Sequence, residues 1–116
     1  MRKANSTNTI NKEQLEKNCG IAYTNAIVSG RWKLSILAFL LDEKKLRYSE
    51  LRNRLTGISE RILIAQLKEL QADSLVNRIS YPEVPPRVEY ELSKKGLTLK
   101  NILIEMAEWG TQHAPK

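Results

Sequence analysis

The chain has 116 residues, 41% hydrophobic and 28% charged, and its formal charge of +6 makes a polyanion the first partner to consider. That length fits one domain with a core of its own, while the longest uncharged apolar run, around Leu34–Leu41, falls far short of the ~20 residues a membrane helix needs. No apolar leader follows Arg2-Lys3, and the single cysteine, Cys19, allows neither an intrachain disulfide nor a Cys-based zinc site, so a reducing cytoplasm is expected.

Residues 1–10 are polar and read as a flexible arm. Asn11 to Asn18 favours a short helix, and Tyr23 to Ser29 gives another, closed by Gly30. Trp32 to Leu41 is denser: Trp32, Ile36 and Leu40 share one face, and Leu37, Phe39 and Leu41 widen it. A helix apolar on most sides is buried on most sides, so this one is expected to form the spine of the core. Asp42-Glu43-Lys44-Lys45 reads as a charged, solvated turn.

Two short helices follow. Tyr48, Leu51 and Leu55 recur at i, i+3, i+7, with Ser49 placed as an N-cap. Thr56-Gly57-Ile58 makes a tight connection, and Ser59 caps a longer helix to about Ala72, whose buried stripe is Leu63, Leu67 and Leu70. Ile58 and Leu63 have the spacing of a hydrophobic staple. Helix, short Gly-containing turn, helix is the pattern of a helix-turn-helix.

After Ser74 the period changes to two. Val76 to Tyr81 and Val88 to Leu92 alternate as strands around a tip containing Pro82, Pro85 and Pro86, residues that cannot donate to a sheet ladder. A last helix runs from Ser93 to about Trp109, ended by Gly110 and Pro115, leaving 111–116 as a flexible tail. Its wheel puts Leu99, Ile102, Leu103 and Met106 on one face and Leu97 and Ile104 near the opposite side, with Ala107 between. Two apolar faces on a terminal helix imply that one is buried by a partner subunit, or that the domain covers both.

Catalytic equipment is sparse. The one histidine, His113, lies three residues from the end, and the five glycines form no phosphate-binding loop. No catalytic residue, metal ligand or cofactor site is assigned, and the chain is not expected to be an enzyme.

Helix-turn-helix followed by a hairpin is the order of a winged helix, an α+β fold with a helical core and a β-hairpin wing. The second helix of such a pair enters the major groove of DNA while the wing reaches the flanking backbone or minor groove. With the leucines inward, Arg61, Ala65, Lys68 and Ala72 face outward with Ile64 at the edge, and Ser59 sits at the helix N-terminus, where free N–H groups suit a phosphate. On the wing, Arg87 at the proline tip and Arg78 are the candidate contacts. Arg61 and Lys68 taken singly read more readily as solvated surface cations, as most exposed lysines and arginines do. Placement favours DNA: between Lys44 and Lys95 there are 11 Lys and Arg against 7 Asp and Glu, a surplus of +4 within the total of +6. The rival reading is a winged helix that contacts proteins and binds no DNA.

Gly30-Arg31-Trp32-Lys33 with Ile36-Leu37, then Leu51-Arg52, Gly57-Ile58-Ser59-x-Arg61-x-Leu63, Leu67-x-x-Leu70 and above all Tyr81-Pro-Glu-Val-Pro-Pro-Arg-Val-Glu-Tyr90 resemble the HxlR-type regulators. These are bacterial winged-helix transcription factors related to the MarR group. The resemblance covers about Cys19 to Gly110 and places the winged-helix domain at 11–110. It implies a homodimer joined by N- and C-terminal helices, with two recognition helices on a palindromic operator in double-stranded DNA. A cleft between dimer helices would be the place for a small-molecule effector, whose chemistry the residues do not specify. Two positions depart from the family pattern: Asp73-Ser74-Leu75 where relatives usually have Asp-Gly-Leu, and Cys19-Gly20 where they commonly have Cys-Pro. In some relatives the matching cysteine senses oxidants or electrophiles; Cys19 therefore reads either as a redox-sensing thiol or as an inert one.

Overall fold

In the computed structural model, residues 20–116 are described, and the chain divides into two units at Gly30–Arg31. Cys19, the 1–10 arm and the helix expected over Asn11–Asn18 lie outside the described residues. In the first unit, α1 spans Ile21–Val28 and Ile21 and Tyr23 are exposed on it.

The second unit is built on α2, Lys33–Glu43, in which Ile36, Leu37 and Leu40 are almost completely buried. The expected core spine is there. Its charged continuation is not a simple loop, however. Helix α2 runs through Asp42 to Glu43, Lys44 turns the chain at φ 69°, and Lys45–Arg47 form a short strand, β1. Leu46 of β1 is buried opposite Tyr90, so pairing with a distant strand draws the last residue of the expected turn, Lys45, into sheet.

Strand β1 delivers the chain directly into α3, Tyr48–Arg54. The helix therefore begins before Ser49, and Arg47 is its N-cap residue, its backbone N–H donating to Glu50 Oε1 at 2.8 Å. A carboxylate at the third helical position does the capping in place of the expected serine. Gly57 makes the tight turn at φ 87°, a conformation that costs a side-chain-bearing residue about 1 kcal/mol. Helix α4, Glu60–Ala72, is capped as expected: Ser59 Oγ accepts from the Ile62 N–H at 3.1 Å. Leu63, Leu67 and Leu70 are buried, as are both residues of the staple, Ile58 and Leu63.

The end of α4 is a Schellman turn. The Ser74 N–H donates to Gln71 O and the Leu75 N–H to Leu70 O, each at 2.9 Å, with Ser74 at φ 62°. Strands β2, Val76–Tyr81, and β3, Arg87–Leu92, then form the hairpin in the register Val76↔Leu92 to Tyr81↔Arg87. With β1 on the other side of β3, the result is a three-stranded antiparallel sheet ordered β1-β3-β2. The prolines lie in the tip as expected, where the Val84–Pro85 bond is cis.

The single last helix expected from Ser93 is instead two: α5, Lys94–Leu97, and α6, Lys100–His113, which continues through Gly110. Close approach explains the break. An added Cβ on Gly96 would lie 2.2 Å from the Leu75 carbonyl oxygen, so α5 is pinned against the end of α4. The chain then turns through i→i−3 bonds from Thr98 to Lys95 O and from Leu99 to Gly96 O before α6 starts. That break separates Leu97 from the phase of α6. Leu99 and Leu103 are buried, whereas Ile102 and Met106, expected to share their apolar face, are 47% and 49% exposed.

Candidate nucleic-acid interface

Helix α4 is held on both sides of its outward stripe. On one flank Glu69 Oε1 lies 2.5 Å from Nζ of Lys33, which is only 6% exposed. On the other flank, α4, the start of α3 and the hairpin enclose a cleft of about 670 Å3. Between these flanks Arg61, Ala65 and Lys68 are exposed, with Ile64 40% exposed at the cleft edge. The small Ala65 side chain between two cations leaves the helix backbone open to close approach.

Arg47, Lys68, Arg78 and Arg87 line the cleft, with Glu60 the only carboxylate among its lining residues. Its apolar wall includes Ile64, Leu67, Val88 and Tyr90. Of the seven residues read from the sequence as DNA contacts, Ile64, Lys68, Arg78 and Arg87 therefore meet in this cleft, while Ser59, Arg61 and Ala65 lie on α4 outside it. Arg47, Tyr48 and Gln71 also line it and were not assigned to the site from sequence. The cleft-facing position of Arg47 depends on β1, for which the residues carry no periodic signal.

Other cations of the helix pair have carboxylate partners. Arg52 lies 3.9 Å from Glu60, and Arg54 lies 3.4 Å from Glu43 while donating to Glu50 O at 3.0 Å. The Tyr48 hydroxyl is buried with no hydrogen-bond partner among the described residues. Burial pushes its phenol upward in pKa, and the Glu60 carboxylate adds to the effect. Two buried polar positions thus border the cleft, since Arg87 Nε–H also lacks an acceptor.

Arg78 and Arg87 differ sharply. Arg78 is exposed, and its Nη1 donates to Ser80 Oγ at 2.8 Å. The Arg87 guanidinium instead lies 2.9 Å from Glu83 and 3.6 Å from Glu89, over the Tyr81 ring at 3.8 Å. The Tyr81 hydroxyl completes the cluster by donating to Glu89 Oε1 at 2.9 Å.

Leu97, Ile104 and Ala107, read from sequence as a subunit interface, are all exposed on α5 and α6. Among the described residues no group of three or more His, Cys, Asp or Glu is arranged to hold a metal ion, and no helix is long and apolar enough to cross a membrane.

Known proteins are similar to this chain in sequence and fold. The HTH-type transcriptional regulator BH0655 of Halalkalibacterium halodurans is 44% identical over 91 residues, 78% of this chain and 80% of that protein. The HTH-type transcriptional regulator YtcD of Bacillus subtilis is 43% identical over 101 residues, 87% of this chain and 79% of that protein. The redox regulator HypR in its oxidized form is similar in structure, with a TM-score of 0.79 and 38% identity, covering 84% of this chain and all of that one. The HxlR-like helix-turn-helix family matches residues 27–116, which include α2 to α6 and the whole sheet; the chain belongs to that family of winged-helix transcription regulators.

Proposed function

We propose that the chain is a cytoplasmic, homodimeric, sequence-specific DNA-binding regulator without enzymatic activity. One observation carries this reading: a capped, buttressed α4 exposes Arg61, Ala65 and Lys68 beside a cleft whose cations come from α4, the hairpin and the β1–α3 junction. In this reading Ser59, Arg61, Ile64, Ala65 and Lys68 meet the major groove, and the wing follows the flanking backbone or minor groove. Leu97, Ile104 and Ala107 belong to the subunit interface, and the two-fold axis matches a palindromic operator.

A mobility shift on the DNA upstream of its own gene, repeated across salt, tests the proposal. Binding falls steeply as salt rises, because phosphate contacts release counterions. Arg61→Ala weakens the specific complex by about tenfold or more. Absence of binding at low salt, or affinity indifferent to salt, overturns the reading in favour of a protein-contact module.

A second reading is supported by the similarity to HypR, named as a redox regulator: Cys19 makes DNA binding thiol-responsive. Diamide then releases the parent protein from DNA and leaves Cys19→Ser bound. Equal release of both proteins sinks this second reading alone.

A further inference from the structure

The string Tyr81 to Tyr90 places its arginine at the base of a proline-rich tip, where a backbone contact to DNA is the natural expectation. The cluster around Arg87 argues otherwise. We propose that Arg87 is a positioning residue that holds the wing in shape, and that Arg78 is the wing's contact to the nucleic-acid backbone. The inference rests on the DNA-binding reading above.

Three observations carry it. First, both terminal nitrogens of the guanidinium already face carboxylates, and only Nε–H lacks an acceptor among the described residues. The group serves Glu83 and Glu89, stacks on Tyr81 and leaves the side chain 27% exposed. Second, the contacts link the two ends of the tip. Tyr81 and Arg87 are register partners at the last rung of the hairpin, and Glu83 belongs to the tip itself. The tip has no ladder bonds of its own beyond this rung, so one planar, forked cation ties Glu83 of the tip to the hydrogen-bonded Tyr81–Glu89 pair of the strands. Third, the local charge is wrong for a phosphate. Glu83, Arg87 and Glu89 sum to −1, and a phosphate approaching Arg87 replaces one anionic partner with another while facing the second. Arg78 carries its full charge into the cleft with a neutral serine as its hydrogen-bond partner.

The two roles separate in the salt dependence of binding, where each phosphate contact contributes about 0.9 to the slope of log affinity against log salt. The full chain is titrated with a mixed-sequence DNA duplex and with the duplex upstream of its own gene, between about 50 and 200 mM salt. Arg78→Ala is expected to lower the slope by about 1.8 on both duplexes, one contact being lost from each of the two wings. Arg87→Met is expected to weaken binding by about tenfold, the order of what fixing one more backbone residue costs, with the slope unchanged. Arg87→Lys binds as weakly as Arg87→Met, because an ammonium keeps the charge but loses the fork and the stacking face. Tyr81→Leu behaves likewise although it alters no charge, and this variant reports on the cluster if Arg87→Met disturbs folding. The proposal is overturned if Arg87→Met loses about 1.8 of slope and Arg87→Lys restores it. It is equally overturned if Tyr81→Leu, by freeing the guanidinium, binds as tightly as the parent. Parent protein that binds neither duplex removes the underlying DNA reading, a result recognisable before any variant is made.

Discussion

A buried lysine shows how single residues set the orientation of α4. Lys33 is enclosed at the start of α2, whereas the Glu69 side chain that meets it is 56% exposed. Removing either partner breaks the same pair, yet the consequences differ. Without Glu69 a buried ammonium is left uncompensated; without Lys33 the glutamate remains in water. Glu69→Leu is therefore expected to destabilise the fold by about 2–4 kcal/mol, and Lys33→Met by less than about 1 kcal/mol. Urea unfolding measures the difference, and equal losses would refute the asymmetry. DNA affinity of the Lys33→Met protein then reports on the orientation of α4 with little change in stability. Ser93 performs a similar linking role just beyond the same end of α4: its hydroxyl donates to Ser74 O at 2.5 Å and accepts from the Gly96 N–H at 2.9 Å. One side chain joins the exit of α4 to the entry of α5.

Among the elements, α4 ends on a residue that its conformation does not favour. Ser74 occupies the left-handed position of the Schellman turn, where glycine carries no Cβ penalty. Ser74→Gly should stabilise the domain by up to about 1 kcal/mol, raising the thermal midpoint by about 4–8 °C, because the Ser74 carbonyl that binds Ser93 is retained. Gly96→Ala should act in the opposite sense by about 1–3 kcal/mol or more, since its Cβ meets the backbone oxygen of Leu75. Such positions also mark what was legible in the sequence. The cap at Ser59, the leucine stripe of α4 and the proline tip depend on neighbours within a few residues, and all three are found as read. Strand β1 was not legible. Lys45-Leu46-Arg47 owes its extended form to β3, more than 40 positions later. The relation of Leu97 to α6 was lost for a related reason, because a helical wheel continues through Thr98 while the packed chain breaks there. Within the site, spacing located Lys68 and Arg78 but could not distinguish an available cation from Arg87, whose partners come from the tip and both strands.

Across the whole molecule, the surplus charge and the uncovered apolar surface lie on different parts of the fold. The basic cleft belongs to α3, α4 and the hairpin, while on α6 Ile102, Met106 and Trp109 recur at i, i+4, i+7 and Trp109 is 66% exposed. Trp109 also stacks on His113 at 4.4 Å, extending the same stripe by one turn. Leu99 and Leu103 already supply the buried face of this region, so the stripe contributes nothing to its own core in this arrangement. Contiguous apolar surface of this kind mainly marks association, and closed two-fold pairing is its commonest form. In the proposed dimer, the interface at Leu97, Ile104 and Ala107 is then expected to extend to the Ile102–Trp109 flank. Joining Ile102→Glu with Trp109→Glu should yield a monomer in sedimentation velocity, with helix content preserved because neither side chain is part of the buried core. Its thermal midpoint should no longer rise with protein concentration, as a dimer's does. On a palindromic duplex the salt slope should fall to about half, since one recognition helix and one wing are engaged in place of two. A variant that still sediments as a dimer would assign pairing to other surfaces, and a monomer that keeps the full slope would separate DNA binding from the two-fold arrangement.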